Sequence, residues 1–163
     1  MVLWFIGLAF IIVASVFESP LIDYRLIIVG STIPVLEMIF SGPWILHSLA
    51  APVTVMAFVM LIFMGKRLRQ RRWLGLPIGM FLYLFLDRAW TKTSLFWWPI
   101  SGITIKKSEL PSWESPLALV LMEAVGAMAI IYSIKKYKLF ERENLKLFLI
   151  TGHIQRKTMK TGN

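Results

Sequence analysis

Residues 79–102 read GMFLYLFLDRAWTKTSLFWWPISG, and this stretch decides what kind of protein the chain is. An uncharged, strongly apolar run from Gly79 to Leu86 reads as a helix carrying one carboxylate, Asp87, near its end. It breaks into Phe96-Trp97-Trp98-Pro99, an aromatic segment of the kind that settles at a membrane–water boundary. An ionisable group inside or at the rim of a membrane helix is costly, so Asp87 is a functional-site candidate by default. The remaining question is which other polar groups reach its depth.

The composition leads the same way. Of 163 residues 57% are hydrophobic, and the mean hydropathy is +0.68. A soluble domain of this size is less apolar, so the expected class is all-α: a polytopic helical membrane protein forming one compact domain. Cysteine is absent, which excludes disulfides and thiolate metal sites. The net charge of +9 is concentrated in Lys66, Arg67, Arg69, Arg71 and Arg72, in Lys135, Lys136 and Lys138, and in Arg156, Lys157 and Lys160. These clusters flank apolar spans, so they point to orientation and anionic lipid headgroups. A soluble chain with such a balance would suggest nucleic acid, which is not expected as a partner here. The opening MVLWFIGLAFIIVASVF lacks a basic leader, and no small-x-small cleavage site precedes Glu18-Ser19-Pro20. It is therefore expected to be a retained first span and not a signal peptide.

Spans are expected at about residues 2–17, 25–40, 46–65, 73–90 and 116–134, followed by a basic cytoplasmic helix or tail over 135–163 that frays from Gly152. Breaks fall at Ser41-Gly42-Pro43 and in the loop holding Pro99, Gly102 and Pro111. Residues 25–40 hold Gly30, Pro34 and Glu37, and either cross or re-enter, which leaves four to five transmembrane helices. Cytoplasmic basic clusters orient the chain in a plasma (inner) membrane with the C-terminus inside. Glu37, His47 and Asp87 then share the outer side.

Two carboxylates and an imidazole are oxygen and nitrogen ligands suited to zinc, manganese or iron. A metal there would acidify a bound water, and without one the same groups suit acid–base work. The competing reading has each as an ordinary polar residue at headgroup level. Tyr83, one helical turn before Asp87, shares its face and is placed either to donate a hydrogen bond to that carboxylate or simply to pack. Glu123 lies within the last span and is expected to pair with Arg88; Asp23 and Arg25 are expected to form a local pair on the opposite side. Trp97 and Trp98 read as interface anchors, and His153 as a solvated residue of the tail.

The order LHS, long apolar span, short basic loop, GMFLYLFLD and LFWWPIS resembles the YdjM-like family of predicted membrane-bound metal-dependent hydrolases. That family shows a Pro-Asp-x-Asp-His segment, then His-Arg-Gly-x-Thr-His-Ser, then a His-x-x-x-Asp pair before a Trp-Pro. The resemblance covers residues 23–102. His47-Ser48 matches the end of the second motif, Asp87 the acidic member of the pair, and Pro34 and Glu37 the proline and second acidic position of the first. Val35, Met38, Gly42 and Tyr83 stand where an acidic residue and three histidines belong. The resemblance implies a hydrolase of a lipid or lipid-linked phosphoester, with Glu37, His47 and Asp87 as metal ligands or, with Tyr83, as acid–base groups. The losses favour an alternative, a non-catalytic integral membrane subunit binding partner proteins on a degenerate hydrolase scaffold, whereas the retained order of His47, Asp87 and LFWWP favours the hydrolase. Membrane lipids, membrane-protein partners or a second copy of the chain are the expected partners.

Overall fold

A computed structural model describes residues 1–17, 22–41, 44–100, 102 and 116–154. These are all-α: helices α1 (Val2–Phe17), α2 (Tyr24–Ser41), α3 (Ala50–Ile62), α4 (Arg67–Trp73), α5 (Gly75–Leu86), α6 (Thr93–Phe96), α7 (Pro116–Lys136) and α8 (Arg142–Thr151), with 3-10 turns at Ile45–His47 and Ala89–Thr91. No strand occurs among the described residues. The expected breaks at Glu18–Pro20, Gly42-Pro43 and Pro111, and the tail cations Arg156, Lys157 and Lys160, lie outside them.

Local chemistry explains the helix bounds. Pro52 and Pro77 fall in the first turns of α3 and α5, where a missing N–H breaks no intrahelical bond. Pro34 lies inside α2, which nonetheless continues to Ser41. The run over 46–65 is helical only from Ala50 to Ile62, because a 3-10 turn precedes it and Gly65, at φ 82°, turns the chain after it. Arg88 adopts φ 57° directly after Asp87 and ends α5.

Glycine lets the long helices approach closely. A Cβ on Gly7 would meet the Gly126 carbonyl, and one on Gly126 would meet Leu3 and Trp4, so α1 and α7 run parallel in contact. Gly75 faces Asp23, Gly79 faces Ile27 and Ser31, and Tyr83 and Val35 share one buried cluster, so α2 and α5 are also parallel. α1 joins the two pairs by running antiparallel to α2, with Phe5 on Tyr83 at one end and Phe10 on Tyr24 at the other. The helices thus meet in the order α7, α1, α2, α5, α3. Two buried clusters result: one around Phe5, Val35, Tyr83 and Leu84, the other around Phe10, Val13, Tyr24, Ile27 and Tyr137.

Large apolar side chains face outward, including Phe58, Leu61 and Ile62 on α3 and Leu117, Val120 and Met128 on α7. Among the described residues one helix, Pro116–Lys136, is long and apolar enough to cross a membrane; Val2–Phe17 and Ala50–Ile62 are shorter apolar helices.

Candidate functional site

Glu37, His47, Tyr83 and Asp87 come together at one end of the α2–α5 pair. Glu37 projects from the last part of α2 and accepts backbone N–H groups of Trp44, at 3.3 Å, and Leu46, at 3.1 Å. Those donors open the 3-10 turn, where no preceding turn satisfies them, so the carboxylate fixes the connection between α2 and α3. The turn in turn aims His47 inward, where its side chain is 0% exposed.

The imidazole is held at both nitrogens. Nδ1–H donates to Glu37 Oε2 at 2.8 Å, and Nε2 shares a hydrogen with the Tyr83 hydroxyl at 3.0 Å. Tyr83 Oη also lies 3.4 Å from Asp87 Oδ2, one helical turn further along α5. A single phenolic hydrogen serves these two acceptors alternately, unless Nε2 carries its own proton and donates to Tyr83. Asp87 caps α5 and is fully buried, its N–H bound to the Tyr83 carbonyl at 2.8 Å. Phe5 lies against the Tyr83 ring at 4.3 Å between centroids, and His47 meets its edge at 5.3 Å.

This arrangement does not fit the zinc or manganese ion that the resemblance implies. A metal needs lone pairs aimed at a common point, whereas here both ring nitrogens are engaged and Glu37 is turned to backbone donors. Among the described residues no three His, Asp or Glu side chains are grouped to hold an ion. The grooves beside Phe10 and Leu149, beside Pro52 and Phe81, and beside Leu49 and Trp98 are lined by none of the four residues. Gly42, at the place of a family histidine, is outside the described residues. Sequence reasoning missed the backbone donors of Trp44 and Leu46 and the packing of Phe5; nothing in those residue types marks them.

A second polar knot sits at the other end of the bundle. Asp23 and Arg25 pair as expected, at 2.9 Å, but Asp23 Oδ2 also accepts from Arg72 Nε of α4 at 2.9 Å. Arg25 donates further to the carbonyls of Leu149 and Ile150 at the end of α8. Burial pushes the Asp23 carboxyl up, but hydrogen bonds from Arg25 and Arg72 and the charge of Arg25 outweigh it and hold the group below the usual carboxylate range. Gly152, at φ 73°, lies so close to Asp23 that any Cβ would collide with its carboxylate.

Three expectations are corrected here. Glu123 does not meet Arg88; it pairs with the Met1 ammonium at 2.6 Å and accepts the Leu3 N–H at 2.9 Å. His153 is not a free tail residue, because Nδ1–H donates to the Ile22 carbonyl at 3.2 Å. Residues 152–154 are not frayed either, since Ile154 is buried and the Tyr24 N–H bonds the Gly152 carbonyl at 2.9 Å.

The chain matches no protein-family model, no curated protein and no solved structure.

Proposed function

We propose that this chain is a non-catalytic integral membrane subunit whose Glu37–His47–Tyr83–Asp87 chain locks the outer ends of α2 and α5 to the start of α3. One observation carries the reading: His47 is wholly buried with both ring nitrogens engaged by protein groups. A hydrolase must bring water and a scissile bond within hydrogen-bond reach of such groups. Here their reach is spent on one another. Satisfied in this way, buried polar side chains act between apolar helices as positioning bonds.

Membrane insertion is supported by the apolar outward faces of α3 and α7 and by glycine-mediated contact between long helices. The alternating directions of α1, α2, α3, α5 and α7 suit five crossings with Lys66–Arg72 and Lys135–Lys138 on the cytoplasmic side. On that reading α2 crosses, running parallel to α5. A subunit role suits the row of helices, because α3 packs chiefly on α5 and α7 chiefly on α1. Both ends of the row therefore present apolar flanks to other membrane helices.

The test is purification in mild detergent of the wild type and a His47→Ala/Asp87→Ala double variant. Zinc, manganese and iron would be quantified and partners captured by cross-linking in the membrane. The expected outcome is equal, substoichiometric metal in both proteins and cross-links from α3 or α7 to another membrane chain. About one metal per wild-type chain, lost in the double variant, would restore the hydrolase reading. A protein that forms no cross-link in its native membrane is not a subunit.

A further inference from the structure

Where α7 ends, the chain turns sharply. Lys138 adopts φ 50°, an uncommon conformation for a side-chain-bearing residue, and Asn144 secures the corner. Its Nδ2 donates to the Lys138 carbonyl at 3.1 Å and to Glu141 Oε2 at 2.8 Å. The corner folds α8 back and leaves a groove of about 420 Å³ between α1, α7 and α8, within the ~300–1,000 Å³ typical of ligand clefts. Phe10, Ile134, Leu139, Phe148 and Leu149 line it. The polar residue in the lining, Ser133, has its hydroxyl committed to the Ala129 carbonyl at 2.8 Å. The interior therefore suits a hydrocarbon chain and offers little to a polar ligand.

The rim has the opposite character. Arg142, Leu145 and Leu149 fall three and seven residues apart on α8, so the face that lines the groove begins with a guanidinium. Lys138 stands at the corner, and Lys135 is exposed one turn before it. Glu141 is engaged by Asn144, while Glu143 is exposed beside Arg142. Cations outnumber carboxylates by three to two at this end of an apolar slot, in keeping with the basic pockets between membrane helices that bind anionic headgroups.

We infer that this groove holds an acyl chain of an anionic phospholipid of the cytoplasmic leaflet, its phosphate at Lys138 and Arg142. The inference rests on the membrane reading above. The charge of the rim selects the lipid by its head, and the uncharged lining accepts its tail.

Native mass spectrometry of the detergent-purified protein, titrated with phosphatidylglycerol and phosphatidylcholine of equal chain length, tests it. The expected result is one phosphatidylglycerol retained on the order of tenfold better than phosphatidylcholine, because both lipids carry the phosphate but the quaternary ammonium of choline opposes Lys138 and Arg142. Lys138→Gln/Arg142→Gln should equalise the two lipids. Leu149→Trp should reduce retention of both by filling the groove, with helix content checked by circular dichroism; Ile134→Phe serves if that variant misfolds. Equal retention by the wild type, an unchanged preference in the charge variant, or a second protein copy in place of lipid would each overturn the inference. Alkaline carbonate extraction separates the two levels. A chain released from membranes defeats the membrane reading, while one that stays in the pellet without a lipid preference defeats this site alone.

Discussion

Replacing Tyr83 by Phe asks whether the buried polar chain holds the fold. The ring and its 4.3 Å contact with Phe5 survive, so only the hydroxyl is lost. That group makes one good bond, to His47 Nε2 at 3.0 Å, and one beyond the usual O–H···O range, to Asp87 Oδ2 at 3.4 Å. The first decides the magnitude. His47 is 0% exposed, and a buried polar atom stripped of its partner costs about 1–3 kcal/mol. Hydrogen bonds between membrane helices average lower, near 0.6 kcal/mol, which brings the expected loss to roughly 1–2 kcal/mol. For a chain of this size that is a fall in Tm of about 2–8 °C. Thermal unfolding in detergent, followed by tryptophan fluorescence, measures it. His47→Ala should cost more, since it also cuts the Glu37 bond and opens a cavity. The two losses should be non-additive by about 0.5 kcal/mol or more, because the residues share a bond. A Tyr83→Phe protein melting with the wild type, or two strictly additive losses, would refute the account of the four residues as one positioning unit.

Other consequences can be measured in the same way. Gly30→Ala should destabilise by about 1–3 kcal/mol, since its Cβ would strike the Leu76 carbonyl, whereas Gly65→Ala meets open space and should cost only about 1 kcal/mol for its φ of 82°. Asp23 has a folded-state pKa below its unfolded value of about 3.9, so it contributes stability above that pH and loses it as pH falls through the folded value. The Tm advantage of wild type over Asp23→Asn should accordingly be present at pH 7 and shrink below about pH 4; an advantage that grows in acid would contradict the assignment. In the cysteine-free background, Ser94→Cys should react with an impermeant thiol reagent only from outside and Arg69→Cys only from inside. The reverse pattern would invert the proposed orientation.

Much of the fold was legible because apolar runs and their breaks are local properties. The helix read over residues 2–17 stands as Val2–Phe17, and that over 25–40 as Tyr24–Ser41. Proximity of Glu37, His47 and Asp87 was also accessible, since basic clusters set helix direction and direction sets depth. The Tyr83–Asp87 contact follows from a four-residue helical spacing. What those quantities omit is where each polar atom points. Depth suggested that Glu123 and Arg88 were partners, yet Arg88 turns outward through a left-handed conformation and the chain's own ammonium reaches Glu123 first. Arg72 looked like one of several cytoplasmic charges, but α4 brings it across 49 residues of sequence to Asp23. His47 read as a ligand because imidazole binds metals. Which nitrogens remain available depends on a 3-10 turn that no residue type in that segment announces.

The parallel pairing of α1 with α7 bears on how the protein is made. Leu3 meets Glu123 across 120 residues of chain, so α1 leaves the ribosome well before the helix it packs against has been made. At about 5–20 residues per second that interval is roughly 6–24 s. Meanwhile the face of α1 carrying Gly7, shaped for another backbone, lacks the helix that covers it in the folded protein. Slowed translation ahead of α7 would lengthen that vulnerable period, and supplying α7 as a separate chain would be a direct way to rescue a truncated product.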